Sequence, residues 1–210
     1  MPDTSGHDHA SLPAAPVLLE RRFELADESA TDAFGARFAH ALDAVRAAST
    51  QVSRPPADNT ANAPSNAQIN APAHAVNAFV GLHVQLLGDL GAGKTSLVRA
   101  SLRALGHSGR VRSPTYTLVE PYTVASASGE LQLYHFDLYR FSDPAEWADA
   151  GFREYFAQGA VCLVEWPQRA GGLLGVPDLV FQLEPGPDGE GRVLTAYAYS
   201  ASGKACLERC

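Results

Sequence analysis

Residues Gly88-Asp-Leu-Gly-Ala-Gly-Lys-Thr95 follow the pattern G-x-x-x-x-G-K-[ST]. Glycines at that spacing let backbone N–H groups wrap a row of phosphate oxygens. The lysine then reaches the β- and γ-phosphates, and the terminal hydroxyl holds Mg²⁺. The implied chemistry is the binding of a nucleoside triphosphate by Gly88, Asp89, Leu90, Gly91, Ala92, Gly93, Lys94, Thr95 and Ser96. A loop of this kind works between a strand and a helix, and the flanking residues supply both. Leu82-His-Val-Gln-Leu-Leu87 is short and mostly apolar, as a buried strand is. From Ser96 to Leu105 the apolar residues Leu97, Val98, Leu102 and Leu105 recur at helical spacing. The N-terminus of that helix adds a favourable partial charge at the phosphates.

Holding a phosphate does not break its bond; hydrolysis also needs carboxylates to hold Mg²⁺ and to orient water. Two acids are placed for this at the ends of apolar strands. Asp137 follows Leu133-Tyr-His-Phe136, and Glu165 follows Val161-Cys-Leu-Val164. In open α/β sheets ligands gather beyond the carboxyl ends of parallel strands, so Glu165 qualifies if its strand runs parallel to the loop strand. The candidate catalytic residues are therefore Lys94, Asp137 and Glu165, and the candidate metal ligands Thr95, Asp137 and Glu165. Ser113-Pro-Thr115 lies where many such proteins place a nucleotide-sensing segment, whose hydroxyl meets Mg²⁺ or the γ-phosphate; the same letters also make an ordinary turn. Arg140 reads either as a charge-stabilising arginine or as half of a surface ion pair. His135 reads as a packed or hydrogen-bonded residue, and Trp147, Trp166 and Tyr155 as core anchors or a partner surface.

The positioning elements can be traced along the chain. Val17 to Leu25 forms a first strand, and Ser29 to Ala47 a helix with Phe34, Phe38, Leu42 and Val45 on one face. Val111 to Val119 is a turn entering a strand that pairs with Leu131 to Asp137 as an antiparallel hairpin. Asp143-Pro-Ala-Glu146 starts a helix that runs to about Gln158-Gly159. Ala160 to Val164, Leu179 to Leu183 and Arg192 to Tyr199 are later strands. The fold class predicted is α/β: a three-layer sandwich around a mixed sheet that includes the hairpin. Residues 1–16 read as a disordered tail, 17–205 as one domain and 206–210 as a C-terminal tail. The stretch 49–78, rich in Ala, Asn and Pro, lacks the apolar surface to offset its ordering and reads as a flexible insertion.

Composition narrows the function. A net charge of −7 argues against a free-standing nucleic-acid binder, which usually shows a basic face. The three cysteines show no C-x-x-C, which fits a reduced, cytoplasmic protein. No apolar stretch is long enough to span a membrane.

The phosphate loop occurs in order with Ser113-Pro-Thr-Tyr-Thr-Leu-Val-Glu-Pro-Tyr122, His135-Phe-Asp-Leu-Tyr-Arg140 and Cys162-Leu-Val-Glu-Trp-Pro-Gln168. Together they resemble the TsaE family of bacterial P-loop ATPases. Leu25-Ala-Asp-Glu-Ser-Ala-Thr31, with Gly35 and Ala39, resembles the family's N-terminal segment. The resemblance implies an ATPase that uses ATP and Mg²⁺ and works with TsaB and TsaD in the threonylcarbamoyl modification of tRNA adenosine. It implies contact with tRNA only through that complex, and weak activity that the partners stimulate. It places the essential acids at Asp137 and Glu165, the switch-like segment at Ser113 to Thr115, and a contact to the nucleotide base at Thr31. The insertion at 49–78 departs from the family's short connection.

Two enzymes and one non-enzyme compete with this reading. A small-molecule kinase would need an acceptor site and commonly an arginine-rich lid, and the arginines here are scattered. A GTPase would need an Asn/Thr-Lys-x-Asp motif, and neither Lys94 nor Lys204, the only lysines, fits one. A nucleotide-gated assembly protein with incidental turnover would use the same loop.

Overall fold

The computed structural model describes residues 11–52, 79–114, 116–126, 129–156, 159–187 and 189–210. Among them, seven strands form one sheet in the order β1-β7-β6-β2-β5-β4-β3. The strands are β1 (Leu19–Leu25), β2 (Leu82–Leu87), β3 (Val119–Ser126), β4 (Gly129–Asp137), β5 (Val161–Glu165), β6 (Leu179–Pro185) and β7 (Arg192–Ala198). β2 pairs in parallel with both β5 and β6, and β5 in parallel with β4. β3 pairs antiparallel with β4, and β7 antiparallel with β6 and β1. The sheet is thus parallel where the phosphate loop leaves it and antiparallel toward both edges, and it includes the expected hairpin.

Alternation along the strands divides the core in two. On one face Val161 and Leu163 of β5, with Leu131 and Leu133 of β4, meet α1 (Glu28–Val52), α2 (Lys94–Ala104) and α4 (Ala201–Leu207). On the other face Cys162, Val164 and Phe136 meet Trp147, Phe141 and Phe152. The layer on this second face is thin, made of α3 (Ala145–Asp149) and two stretches of 3₁₀ turns, Phe152–Phe156 and Pro167–Leu174.

The helical face is drawn tight by one glycine. A Cβ on Gly35 of α1 would stand 2.5 Å from the Cβ of Ala100 in α2. Its absence lets α1 lie against the loop helix and press Phe34 and Phe38 onto Phe181 of β6, with ring centroids 5.6 and 5.1 Å apart. Full burial of each such ring stabilises the fold by about 1.5–3 kcal/mol.

The structure differs from the sequence expectations at three places. α1 runs to Val52, past the expected end at Ala47 and into the first residues of the expected insertion at 49–78. The helix expected from Asp143 toward Gln158 begins as read, with the Glu146 carboxylate accepting from the Ser142 and Asp143 N–H groups. It ends at Asp149, because Gly151 takes a φ of 71° and turns the chain into the 3₁₀ turn of Phe152–Phe156. Gln158 itself lies outside the described residues, as do residues 1–10 of the expected tail and 53–78 of the expected insertion. At the C-terminus α4 crosses the boundary set at residue 205 and buries Cys206 and Leu207 in the core. The Ser200 hydroxyl caps α4 by accepting from Gly203 N at 3.0 Å. A helix of seven residues with Gly203 at its third position carries little periodicity, which is why the sequence alone leaves its end a tail.

Candidate nucleotide site

The phosphate loop leaves β2 at Leu87 and enters α2 at Lys94. Gly88, Gly91 and Gly93 have φ values of 136°, 83° and 101°, a region that glycine enters without strain. A Cβ on Gly88 would stand 2.5 Å from the Leu183 carbonyl oxygen, so β6 allows no other residue there. A Cβ on Gly91 would meet nothing within 4 Å, so the loop opens on free space at that point.

That space is a cavity of about 360 Å³. Leu90, Gly91, Gly93, Lys94, Thr95 and Ser96 line one wall. Ser113, Asp137, Tyr139, Glu165 and Trp166 line the other. The parallel pairing of β2, β5 and β4 brings the walls together: Leu86 is level with Glu165, and Glu165 with Asp137. The condition set on Glu165 is therefore met, since its strand runs parallel to the loop strand.

The side chains that meet across the cavity are buried and hydrogen-bonded. Lys94, Asp137 and Glu165 are only 4%, 4% and 3% exposed, which a charged residue tolerates only when paired. The Lys94 ammonium donates to the carbonyl oxygens of Gly88 and Asp89 at 2.6 and 2.8 Å. It also stands 4.1 Å above the Trp166 ring centroid. Burial pulls its pKa below the ordinary lysine value, and the carboxylates of Glu165, Asp137 and Asp89 oppose that shift. Thr95 Oγ1 donates to Glu165 Oε1 at 2.7 Å. The Ser113 hydroxyl donates to Asp137 Oδ2, and the Tyr139 N–H donates to Asp137 Oδ1 at 3.1 Å.

The backbone on the acidic side is strained. Among the described residues, Leu118 and Trp166 are the non-glycine residues with positive φ, at 65° and 58°. Such conformations cost a bulky residue on the order of 1–3 kcal/mol and gather at functional sites. Leu118 uses its turn to accept from the Asp137 N–H at 3.1 Å, which ties β4's end to the segment before β3. Trp166 uses its turn to place the indole over Lys94 and beside Tyr139, with ring centroids 5.1 Å apart in the latter pair.

The remaining candidates divide. Asp89 and Ala92 face a neighbouring cavity of about 260 Å³, bounded also by Glu184, Pro185 and Arg192. Thr31 lines neither cavity. It is fully buried in the first turn of α1, donating to Asp27 O at 3.1 Å and accepting from Arg192 at 3.0 Å. The guanidinium of Arg192 in turn packs under Gly93, where an added Cβ would come within 2.9 Å of it. Arg192 thus links Thr31 to the phosphate loop. Thr115 lies outside the described residues. The Arg140 guanidinium stacks 4.1 Å over the Tyr116 ring and does not line the cavity.

Sequence reasoning passed over Arg192, Tyr139 and the role of His135. Nothing local marks Arg192, which begins a strand far along the chain. His135 did carry a signal: it precedes Asp137 by two residues and so shares its face of the sheet.

The site suits Mg²⁺ with a nucleotide. Mg²⁺ takes hard oxygen ligands, often one or two carboxylates together with phosphate oxygens and waters, not an all-protein cage. Thr95, Glu165 and Asp137 supply that donor set, and no group of three His, Cys, Asp or Glu side chains forms a cage among the described residues. Cys162 lies on the face of the sheet opposite the acids. Burial pushes its thiol up to about 12, and its Sγ donates to Tyr155 O at 3.2 Å. No helix among the described residues is long and apolar enough to cross a membrane.

The chain is similar to known proteins in sequence and in fold. The chain is 48% identical over 101 residues to the tRNA threonylcarbamoyladenosine biosynthesis protein TsaE of Haemophilus influenzae, covering 48% of this chain and 61% of that protein. It is 47% identical over 81 residues to the protein of the same name from Bacillus subtilis, covering 39% of this chain and 48% of the relative. The matches thus span about half to three-fifths of the lengths of these curated relatives. Among solved structures, that of Bacillus subtilis YdiB superposes with a TM-score of 0.56 at 24% identity, covering 90% of this chain and 93% of that one. That likeness shows the fold, a mixed α/β sheet with helices packed on it. The sequence model of one family, described as threonylcarbamoyl adenosine biosynthesis protein TsaE, matches residues 25–192, and the chain belongs to that family.

Proposed function

We propose that this protein is a Mg²⁺-dependent ATPase that sustains threonylcarbamoyladenosine modification of tRNA, acting with TsaB and TsaD in the cytoplasm. One observation carries the ATPase reading: Thr95 of the phosphate loop and Glu165 of β5 meet at 2.7 Å across a cavity that Lys94 and Asp137 also line. A loop that only gates assembly has no need for two buried carboxylates opposite its lysine. A kinase would need an acceptor pocket beyond the phosphate, and the far wall of this cavity is acidic.

In this reading the N–H groups of Gly88 to Thr95 receive the phosphate chain, and Lys94 exchanges its two loop carbonyls for phosphate oxygens. Bound Mg²⁺ would neutralise charge on the β- and γ-phosphate oxygens as the transition state forms. Thr95, Asp137 and Glu165 would hold it, and the two carboxylates also orient the attacking water. That water forms the new P–O bond as the bond to the β-phosphate bridging oxygen breaks, and ADP leaves. Within the full complex, tRNA is reached through the partners, because the chain's net charge of −7 disfavours binding a polyanion alone. The span 49–78 is read as an addition to a single domain that leaves the loop intact.

The test is reconstitution with the two partners, following ATP turnover and tRNA modification together. Glu165→Gln is expected to bind ADP as the wild type does and to lose about 100-fold or more in turnover. Wild-type ATP hydrolysis by Glu165→Gln in that complex would remove the assignment.

A further inference from the structure

His135 is fully buried in β4, on the helical face of the sheet and two residues before Asp137. Its Nε2 lies 2.8 Å from Glu165 Oε1. The same carboxylate oxygen accepts from Thr95 Oγ1 at 2.7 Å. The other imidazole nitrogen, Nδ1, is buried with no hydrogen-bond partner. An ionised carboxylate only accepts hydrogen bonds, so the proton between the two groups belongs to Nε2. A proton on Nδ1 would leave a buried N–H unpaired, which costs about 1–3 kcal/mol, so the geometry selects the Nε2–H tautomer.

Glu165 Oε1 is therefore pinned from two sides: by the loop helix through Thr95 and by β4 through His135. These two donors are not equivalent. The phosphate-loop hydroxyl is the group that turns to the metal when a nucleotide binds. His135 has no such second task, because it lines no part of the cavity and its ring is enclosed by the core. Its bond can persist when the Thr95 bond is exchanged, and the second carboxylate oxygen, Oε2, takes no part in either bond.

We infer that His135 is a positioning residue for hydrolysis: through its Nε2–H it holds the Glu165 carboxylate in place when Thr95 engages the metal. This rests on the ATPase reading above. The residue does not touch nucleotide, so its loss acts through Glu165. Loss of a hydrogen bond that orients a metal-site ligand typically costs about 10–100-fold in activity.

Three measurements on the full chain test the inference. His135→Phe fills the same space without a donor, and His135→Gln restores an N–H near the Nε2 position. His135→Phe is expected to bind ADP within about twofold of the wild type in EDTA and to lose about 10–100-fold in ATP turnover with the partners, most of which His135→Gln recovers. Wild-type turnover in His135→Phe, or no recovery in a folded His135→Gln, overturns the proposal. The third measurement needs no turnover. Nitrogen-15 shifts of the imidazole in metal-free protein should show a protonated Nε2 and a bare Nδ1, with Nε2 shifting on Glu165→Ala. A bare Nε2 overturns the proposal even if the wild type hydrolyses ATP. If the wild type does not hydrolyse ATP, the ATPase reading falls and the hydrolytic role of His135 falls with it, while the nitrogen shifts still report on the His135–Glu165 bond. Should His135→Phe fail to fold, His135→Gln and the nitrogen shifts decide the matter.

Discussion

The two walls of the nucleotide cavity work by different means. The wall of β2 and α2 acts through its backbone: glycines at positive φ present N–H groups, and one lysine and one threonine complete it. The wall of β4 and β5 acts through side chains: Asp137 and Glu165 reach the cavity from strand ends, Asp137 held by Ser113, and Glu165 by Thr95 and by His135 behind it. A backbone wall is positioned by its own local geometry. A side-chain wall is positioned by whatever stands behind the strands that carry it. Behind β4 and β5 stands an aromatic cluster, with Phe136 packed 5.7 Å from Trp147 and 5.6 Å from Phe156. Phe136 lies between His135 and Asp137 in the chain, and Val164 directly precedes Glu165, so the cluster grips the strands from the face opposite the acids.

The largest expected effect comes from emptying that backing. Trp147 is 1% exposed and packs on Phe136, Phe152 and Phe156. Trp147→Ala should lower stability by about 3–5 kcal/mol in urea unfolding. Amide exchange should show the ends of β4 and β5 opening before β2 and α2. Equal loss of protection on both walls would mean that the walls are not held separately.

Lys94→Ala attacks the other wall. It removes the charge that faces the phosphates and leaves the glycine cradle in place. Calorimetric titration should show ADP binding weakened by about 100-fold, close to 3 kcal/mol. Affinity within about threefold of the wild type would show that the backbone alone supplies the binding.

The same contrast explains what could be read from the sequence. The backbone wall is contiguous: eight residues fix its type, and the apolar spacing around them fixes its strand and helix. The acids were also legible as strand ends, and the hairpin and the later strands fall close to their expected bounds. The partnership of Asp137 with Glu165 and Lys94 depended on strand order, since β5 enters between β2 and β4. Nothing in the local letters states that order. His135 read as a packed or hydrogen-bonded residue with no partner named, because its bond to Glu165 spans thirty positions. Arg192 stayed hidden for the same reason, being 161 positions from Thr31. The C-terminal helix was missed because it is short and holds its place by contact with α1 and β7, which sequence spacing does not report.

Asp137→Asn sharpens the comparison inside the acidic wall. The amide keeps its oxygen for the Tyr139 N–H and turns its NH₂ to the Ser113 hydroxyl, which accepts in place of donating, so the fold should be unchanged. The charge facing the metal is lost. The Mg²⁺ concentration for half-maximal turnover should rise about tenfold, while ADP binding in EDTA stays as in the wild type. A change in metal-free ADP binding of the same size would place Asp137 in nucleotide contact instead.

The smallest effect concerns what lies behind the backbone wall. The far face of β2 carries His83 where β4 and β5 carry aromatic and aliphatic groups. Its ring meets Phe156 edge-on at 4.9 Å, Nε2 has no partner, and burial pulls the imidazole down from 6.5 to about 4. The folded chain thus resists a proton that the unfolded chain accepts, so the unfolded state binds more protons between the two values. Stability from this group is complete above pH about 6.5 and declines as pH falls toward about 4. Between pH about 7 and about 5.5 the loss should be about 1 kcal/mol, measured by urea unfolding. The Asp178 carboxylate accepts from the His83 N–H at 2.7 Å. His83→Phe keeps that backbone bond and removes the titrating ring, so the acid-side decline should flatten. A decline that persists unchanged in His83→Phe would show that the pH sensitivity does not lie in the backing of the loop.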